Sequence, residues 1–263
     1  LGFFYHSGFW GRVGRFLNFS NPNGLPYVWR MDRLVGYADA VSVSNRFLQK
    51  KFGGVLLPHC RDTTVLDPLK FNPNKIKEKM GFKNKKVVMF LGTPRPHKGV
   101  DDLLTAFKII DNPDLNLAII GADNHQEFLE RIDRSIRHRV VVLPKMSYDK
   151  LPELLSAADI IAIPQRRTSD SVGQIPARLF DAMSMAKPII ATRVSDIPEV
   201  LDGCGYLVDP NQPAQLAEAI EYILSHLDEA RAKGQTARER CRRMYDISNL
   251  EFGLSKLVEK VLA

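Results

Sequence analysis

The sequence predicts an α/β fold built on a doubly wound parallel sheet, and three observations lead there. Six short β-branched runs, at 87–92, 115–121, 139–144, 159–164, 188–192 and 205–209, are apolar on both faces. Strands of a sheet covered by helices on both sides read this way. Stretches of helical periodicity separate the runs, so parallel pairing through crossovers follows. The loops after the runs hold Gly, Pro and charged residues, on the edge where such sheets bind ligands.

Composition narrows the function classes. The chain has 263 residues, 44% hydrophobic and 25% charged, as in a globular protein large enough to need no staples. Cys60, Cys204 and Cys241 are scattered, which argues against a disulfide framework and for a reducing compartment. No apolar run approaches the roughly 20 residues of a membrane span. The net charge of +7 points to anionic partners. The basic segment 231–243 includes Glu239 and reads as a solvated helix face, with no nucleic-acid motif beside it.

Taken in order, residues 1–30 mix aromatics, glycines and arginines without a period, and read either as a lipid-facing patch or as the remnant of a larger core. A helix is expected over 31–38, a strand over 38–44, a helix over 45–53 and a strand over 55–58. The stretch 59–73, rich in Asp, Asn and Pro, reads as a linker and sets a domain boundary. After a basic helix at 75–80, each run is followed by a helix: 100–110, 125–136, 148–158, one starting at Gly173–Pro176, and a short turn at 197–201. Three helices close the chain, at 214–227, 228–244 and 247–262. The last has an apolar stripe of Leu250, Leu254, Leu257, Val258 and Val261 that must dock somewhere.

Two loops suit an anion. Gly92 to Gly99, GTPRPHKG, follows the first run with Arg95 and Lys98, where a pyrophosphate would lie. It matches neither a Walker A loop nor a G-x-G-x-x-G fingerprint. In 169–192, a polar Gly-containing loop turns into a helix whose first turn offers unpaired N–H groups and a positive dipole end. Asp181, seven residues after Gln174, is expected on the same helix face. Gly121–His125 reads as a turn with a helix cap at Asp123 or Asn124, and Lys145-Met146 as backbone contacts for a flat ligand. His59, His97 and His125 form no metal spacing, so no protein-held metal is expected. No motif of a covalent hydrolase is present.

The order of ADAVSVSNRF, LLPHCRD, FLGTPRPHKGVDDLLTAF, LPELLSAADIIAIP, IPARLFDAMSMAKPIIATRVSDIPEV and GYLVDPNQPAQLAEAI resembles the retaining glycosyltransferases of the two-Rossmann-domain (GT-B) type, family 4. The resemblance covers Ala38 to the C-terminus. It implies an incomplete N-terminal acceptor-side domain and hinge over 1–70, a nucleotide-sugar-binding Rossmann-like domain over 71–245, and a helix over 246–263 packing back on the first. With so short an N-terminal part, a truncated two-domain enzyme is expected. The implied donor is a UDP- or GDP-linked sugar, used without a metal or resident cofactor. The implied acceptor is a saccharide or lipid-linked sugar of polysaccharide or glycolipid assembly, on the cytoplasmic side of a membrane with peripheral contact.

By matching positions, Lys98 would hold the diphosphate, and Gly92 and Thr93 would sit beside it. The family usually places Arg where Thr93 stands, and Arg95 is expected to substitute. Gln174, Ile175, Pro176 and Ala177 would hold the distal phosphate, and Asp181 the ribose hydroxyls. Arg95, Lys98 and Gln174 are the expected catalytic groups. The family's other glutamate falls on Gly173, so Gln174 or Asp170 would meet the donor sugar. Two other readings compete: a catalytically inactive nucleotide-binding scaffold of the same fold, and a sugar-nucleotide epimerase, whose carboxylates have no evident counterparts.

Overall fold

The computed structural model describes residues 24–262; the first 23 residues of the stretch 1–30, read as a lipid-facing patch or a remnant, lie outside them. The chain opens with helix α1 (Leu25–Leu34), strand β1 (Ser42–Val43), helix α2 (Arg46–Phe52) and strand β2 (Val55–Leu56). The two strands pair in parallel, Ser42 opposite Val55. Helix α3 (Pro73–Lys79) leads into β3 (Lys86–Leu91), α4 (Val100–Ile109), β4 (Leu115–Ile120), α5 (His125–Glu130), α6 (Arg134–Arg137), β5 (Val140–Leu143), α7 (Leu151–Ser156) and β6 (Ile160–Ile163). There follow α8 (Ser169–Val172), α9 (Ala177–Ser184), β7 (Ile189–Thr192), α10 (Ile197–Val200), β8 (Tyr206–Val208), α11 (Pro213–Ser225), α12 (Leu227–Met244) and α13 (Ile247–Leu262).

The large sheet runs in the order β5-β4-β3-β6-β7-β8, with every pairing parallel. The chain therefore winds outward from β3 through β4 to β5, then returns to β6 on the other side of β3. The crevice between β3 and β6 is the switch point of such a sheet.

Two apolar layers hold the sheet, and β3 shows the alternation that separates them. Val87, Met89 and Leu91 pack with Phe180 and Met183 of α9 and Ala237 and Cys241 of α12. Val88 and Phe90 face the opposite layer, with Phe107 of α4 and Ile220 of α11. This period of two is what a strand buried on both faces requires.

Several boundaries differ from the expected ones for local reasons. The helix expected over 125–136 breaks in two because Asp133 takes a cap position, its carboxylate accepting the Ser135 N–H at 2.9 Å. The loop expected after Ser169 contains the one-turn helix α8, where Ser171 Oγ accepts the Thr168 N–H at 2.8 Å. Gln174 precedes α9, which starts at Ala177, so Gln174 and Asp181 do not share a helix face as the spacing suggested.

The ends of β3 and β6 are pinned by one carboxylate. Asp159 Oδ2 accepts the Val87 N–H at 2.7 Å and pairs with Lys77 Nζ of α3 at 2.5 Å, both side chains largely buried. The final helix α13 meets the first elements: a Cβ at Gly253 would stand 2.5 Å from Leu57 Cδ2. Among the described residues no helix is long and apolar enough to cross a membrane.

Removing one partner of a buried, hydrogen-bonded ion pair strands the other charge. Asp159→Ala is therefore expected to lower the unfolding free energy by about 3 kcal/mol in a denaturant titration.

Candidate active site

At the carboxyl ends of β3 and β4 the chain leaves a cavity of about 510 Å³. Its floor is Leu91 and Gly92 after β3 and Ile120 and Gly121 after β4. One wall is the segment from Gly173 to Arg178 with Asp181 of α9, the opposite one Lys145 and Met146 after β5. Ser44 and His59 approach from the N-terminal elements.

Two glycines make the floor and the loop possible. Gly99 has φ +67°, and a Cβ there would stand 1.7 Å from the Pro164 carbonyl oxygen at the end of β6. Only a residue without a side chain allows the loop that closely against β6. Gly92 has φ +114°, and a Cβ there would meet Arg178 Nη1 at 2.7 Å and Lys98 Nζ at 3.5 Å. Two cations thus converge on a floor position that has no side chain.

The electrostatics follow from that convergence. Lys98 is half-buried and its ammonium falls to about 8, through desolvation first and then the charges of Arg178 and Arg95. Arg178 is almost fully buried and drops to about 10, also through desolvation. Its Nη1 donates to the Leu91 carbonyl at 2.5 Å, its Cζ lies 4.7 Å from the Phe90 ring centroid, and its buried Nε has no partner among the described residues. Arg166 nearby is neutralised, forking onto Asp102 at 2.6 and 2.7 Å.

Asp181, on the same helix, is buried, and desolvation raises its carboxyl while Arg61, Arg178 and His59 oppose the rise. Its partner is Arg61, whose Nε donates to Oδ1. Arg61 belongs to the stretch read as a linker. Its N–H donates to the Tyr245 carbonyl at 2.8 Å, and its carbonyl accepts the Ile247 N–H at 3.0 Å. His59 stands edge-on to Phe180, and its imidazolium is disfavoured by desolvation and by Arg61.

Of the residues read from the sequence, the fold gathers Gly92, Lys98, Lys145, Met146, Asp181 and the run Gly173 to Ala177 around this cavity. Thr93, Arg95 and Asp170 lie outside its lining. Arg95 is the extended residue before the tight turn Pro96–Lys98, which leaves its side chain exposed. Asp170 sits exposed on α8. Arg178, His97, Gln165 and Ser44 line the cavity without having been singled out. For Arg178 a signal existed: it precedes Asp181 by three residues, and i, i+3 side chains share a helix face.

The depressed Lys98 pKa has a measurable consequence. Below about pH 8 the native state holds a charge that the unfolded chain, titrating near 10.5, solvates better, so the lysine destabilises the fold there. The penalty fades as pH rises from about 8 to 10.5. Lys98→Met is expected to stabilise the chain at pH 7, and the gain should shrink across that window in denaturant titrations.

Comparison with known proteins places this geometry. The chain is 28% identical over 222 residues to a GDP-mannose-dependent alpha-(1-6)-phosphatidylinositol monomannoside mannosyltransferase of Mycolicibacterium smegmatis, covering 78% of this chain and 58% of that protein. It is 29% identical over 220 residues to an alpha-maltose-1-phosphate synthase of the same organism, covering 77% and 55%. The chain thus spans about half the length of the relatives it matches. Among solved structures, sucrose-phosphate synthase of Thermosynechococcus elongatus superposes with a TM-score of 0.77 at 20% identity, over 95% of this chain and 65% of that one. HepE of Anabaena in complex with UDP-glucose gives 0.74 at 19%, over 84% and 64%. These likenesses establish the α/β fold of the GT-B type. The family model of glycosyl transferases group 1 matches residues 72–240, well over half of the sequence, and the chain belongs to that family.

Proposed function

We propose that this chain supplies the donor site of a retaining glycosyltransferase, which moves a sugar from a UDP- or GDP-linked donor to a saccharide or lipid-linked acceptor without a metal. The observation that supports it most is the cavity at the β3/β6 switch point, where Lys98 stands over the Cβ-free Gly92. Family membership makes sugar transfer the reaction to expect of such a site. One relative is named for a GDP-linked donor and one solved neighbour holds a UDP-linked donor, which favours these two nucleotides.

In this reading the diphosphate lies across Gly92, its charge met by Lys98 and by the positive start of α9 at Pro176 and Ala177. The nucleoside extends over Gly121 towards Lys145 and Met146. Asp181 faces the ribose hydroxyls once Arg61 shares it. As the bond from the anomeric carbon to the phosphate oxygen breaks, its electron pair stays on that oxygen. The acceptor oxygen bonds the anomeric carbon on the same face, and its proton passes to the departing phosphate. The protein's part is to stabilise the charge that develops there, in a site pre-set for it. The acceptor enters from the side of Ser44 and His59.

Calorimetric titration with UDP, GDP and ADP tests this. Saturable binding of UDP or GDP is expected, unaffected by EDTA; no binding of any of the three at millimolar concentration would overturn it. With a donor identified, Lys98→Ala should lower the turnover rate about 10²- to 10³-fold. Proton NMR of the product should find the anomeric configuration of the donor.

A further inference from the structure

We infer that Arg178 is a second cation of the diphosphate site and meets the phosphate through the end of its guanidinium. The inference deepens the proposed function and rests on it for the identity of the ligand, though not for its charge.

The argument starts from what Arg178 lacks. It is 9% exposed, among the buried side chains of α9. A buried guanidinium is tolerated when carboxylates answer it. The acidic residue nearest in sequence, Asp181, is taken by Arg61. What Arg178 does have is one neutral carbonyl, Leu91 O, and the face of Phe90. Its Nε is buried with no partner among the described residues. A methionine would fill the same space beside Phe90 without any charge, so packing does not call for arginine here.

The end of the guanidinium that borders the cavity gives the ligand. Nη1 commits one N–H to Leu91 O, the last residue of β3. The other Nη1 N–H and those of Nη2 are left for the oxygens of a phosphate. The Nη1 end of the same group stands where a Gly92 side chain would be, and Lys98 Nζ borders that point too. Two like charges held together in a half-dry cavity repel: the Lys98 ammonium, lowered first by desolvation, is lowered further by Arg178. A bound dianion between them turns that repulsion into attraction. The class of ligand is therefore a diphosphate, with Lys98 as a point charge and Arg178 as a fork of N–H groups.

The test measures Kd for UDP, GDP, inorganic pyrophosphate and the free nucleosides in the unaltered chain, Arg178→Gln, Arg178→Lys and Arg178→Met. Arg178→Gln should weaken the nucleotides and pyrophosphate about ten- to hundredfold and leave nucleoside binding unchanged. Arg178→Lys should recover part of the loss, since it restores charge without the fork. Arg178→Met keeps the volume beside Phe90, so it should melt no lower than the unaltered chain while losing the diphosphate preference. In both neutral variants Lys98 should titrate above its present value of about 8, read from the pH dependence of its labelling by an amine-selective reagent. Equal affinity of Arg178→Gln and the unaltered chain for diphosphates, or an equal loss for nucleoside and nucleotide, would overturn the inference. Arg178-dependent binding of pyrophosphate without any nucleotide binding would support it while sinking the proposed donor. Nucleotide binding indifferent to Arg178 would do the reverse.

Discussion

The constraint on which the site depends is the crowding of Lys98 and Arg178 against one residue that has no side chain. Gly92 ends the innermost strand of the sheet, and its positive φ turns the chain away so that both cations reach the floor. Every neighbouring element serves that arrangement. Gly99 lets the loop press against the end of β6, which brings Lys98 inward. α9 packs between β3 and α12 and delivers Arg178 from the other side. Asp159 fixes β3 against β6 from the opposite end of the strands. Among the described residues Lys98 and Arg178 have no carboxylate partner there, whereas Arg166 with Asp102 and Arg238 with Asp67 are paired. Functional sites store unfavourable terms in this way, supported by the rest of the fold.

A second interaction connects the cavity to two stretches that pair with each other, near 61 and near 246. Arg61 joins Asp181 on α9 to the backbone at Tyr245 and Ile247, so the two stretches run side by side. Asp246 adds to the junction by accepting from Thr63 Oγ1 at 2.6 Å. A carboxylate facing the cavity is thereby bonded to the residue that ties the two stretches together. Occupation of the cavity and the pairing of the stretches share one ion pair. That is a physical route for coupling without any long chain of contacts.

How much of this was legible in the sequence varied with the kind of signal. The six strands of the large sheet were legible because burial on both faces leaves a run of β-branched residues, and each lies within a residue or so of its expected bounds. The loop 92–99 was legible because Gly and Pro punctuate it. Arg178 was legible only through its i, i+3 spacing to Asp181, because a charged residue beside Ala177 and Leu179 otherwise reads as the solvent face of a helix. Only the packing of α9 against β3, a contact between residues 87 apart, buries it. Arg61 was hidden for the same reason: a linker composition says nothing about a partner 120 residues away. Arg95, read from the family pattern, stands exposed before the turn at Pro96 and outside the cavity lining, with its charge still felt by Lys98.

Gly173 poses the remaining question of the wall. Its backbone has negative φ, and a Cβ there would make ordinary contacts of 3.6 to 3.9 Å with Leu48 and Phe47 of α2. Neither conformation nor space demands glycine, so the missing side chain is a choice about chemistry and not about folding. The contacts also tell where a longer side chain would begin: against α2, on the side from which Ser44 and His59 approach. The wall thus has no side chain at 173, while the floor keeps two cations. Charge-assisted bonds to a phosphate exceed neutral ones to hydroxyls, so under the proposed function the diphosphate sets affinity and the sugar is left to what α2 brings beside Gly173.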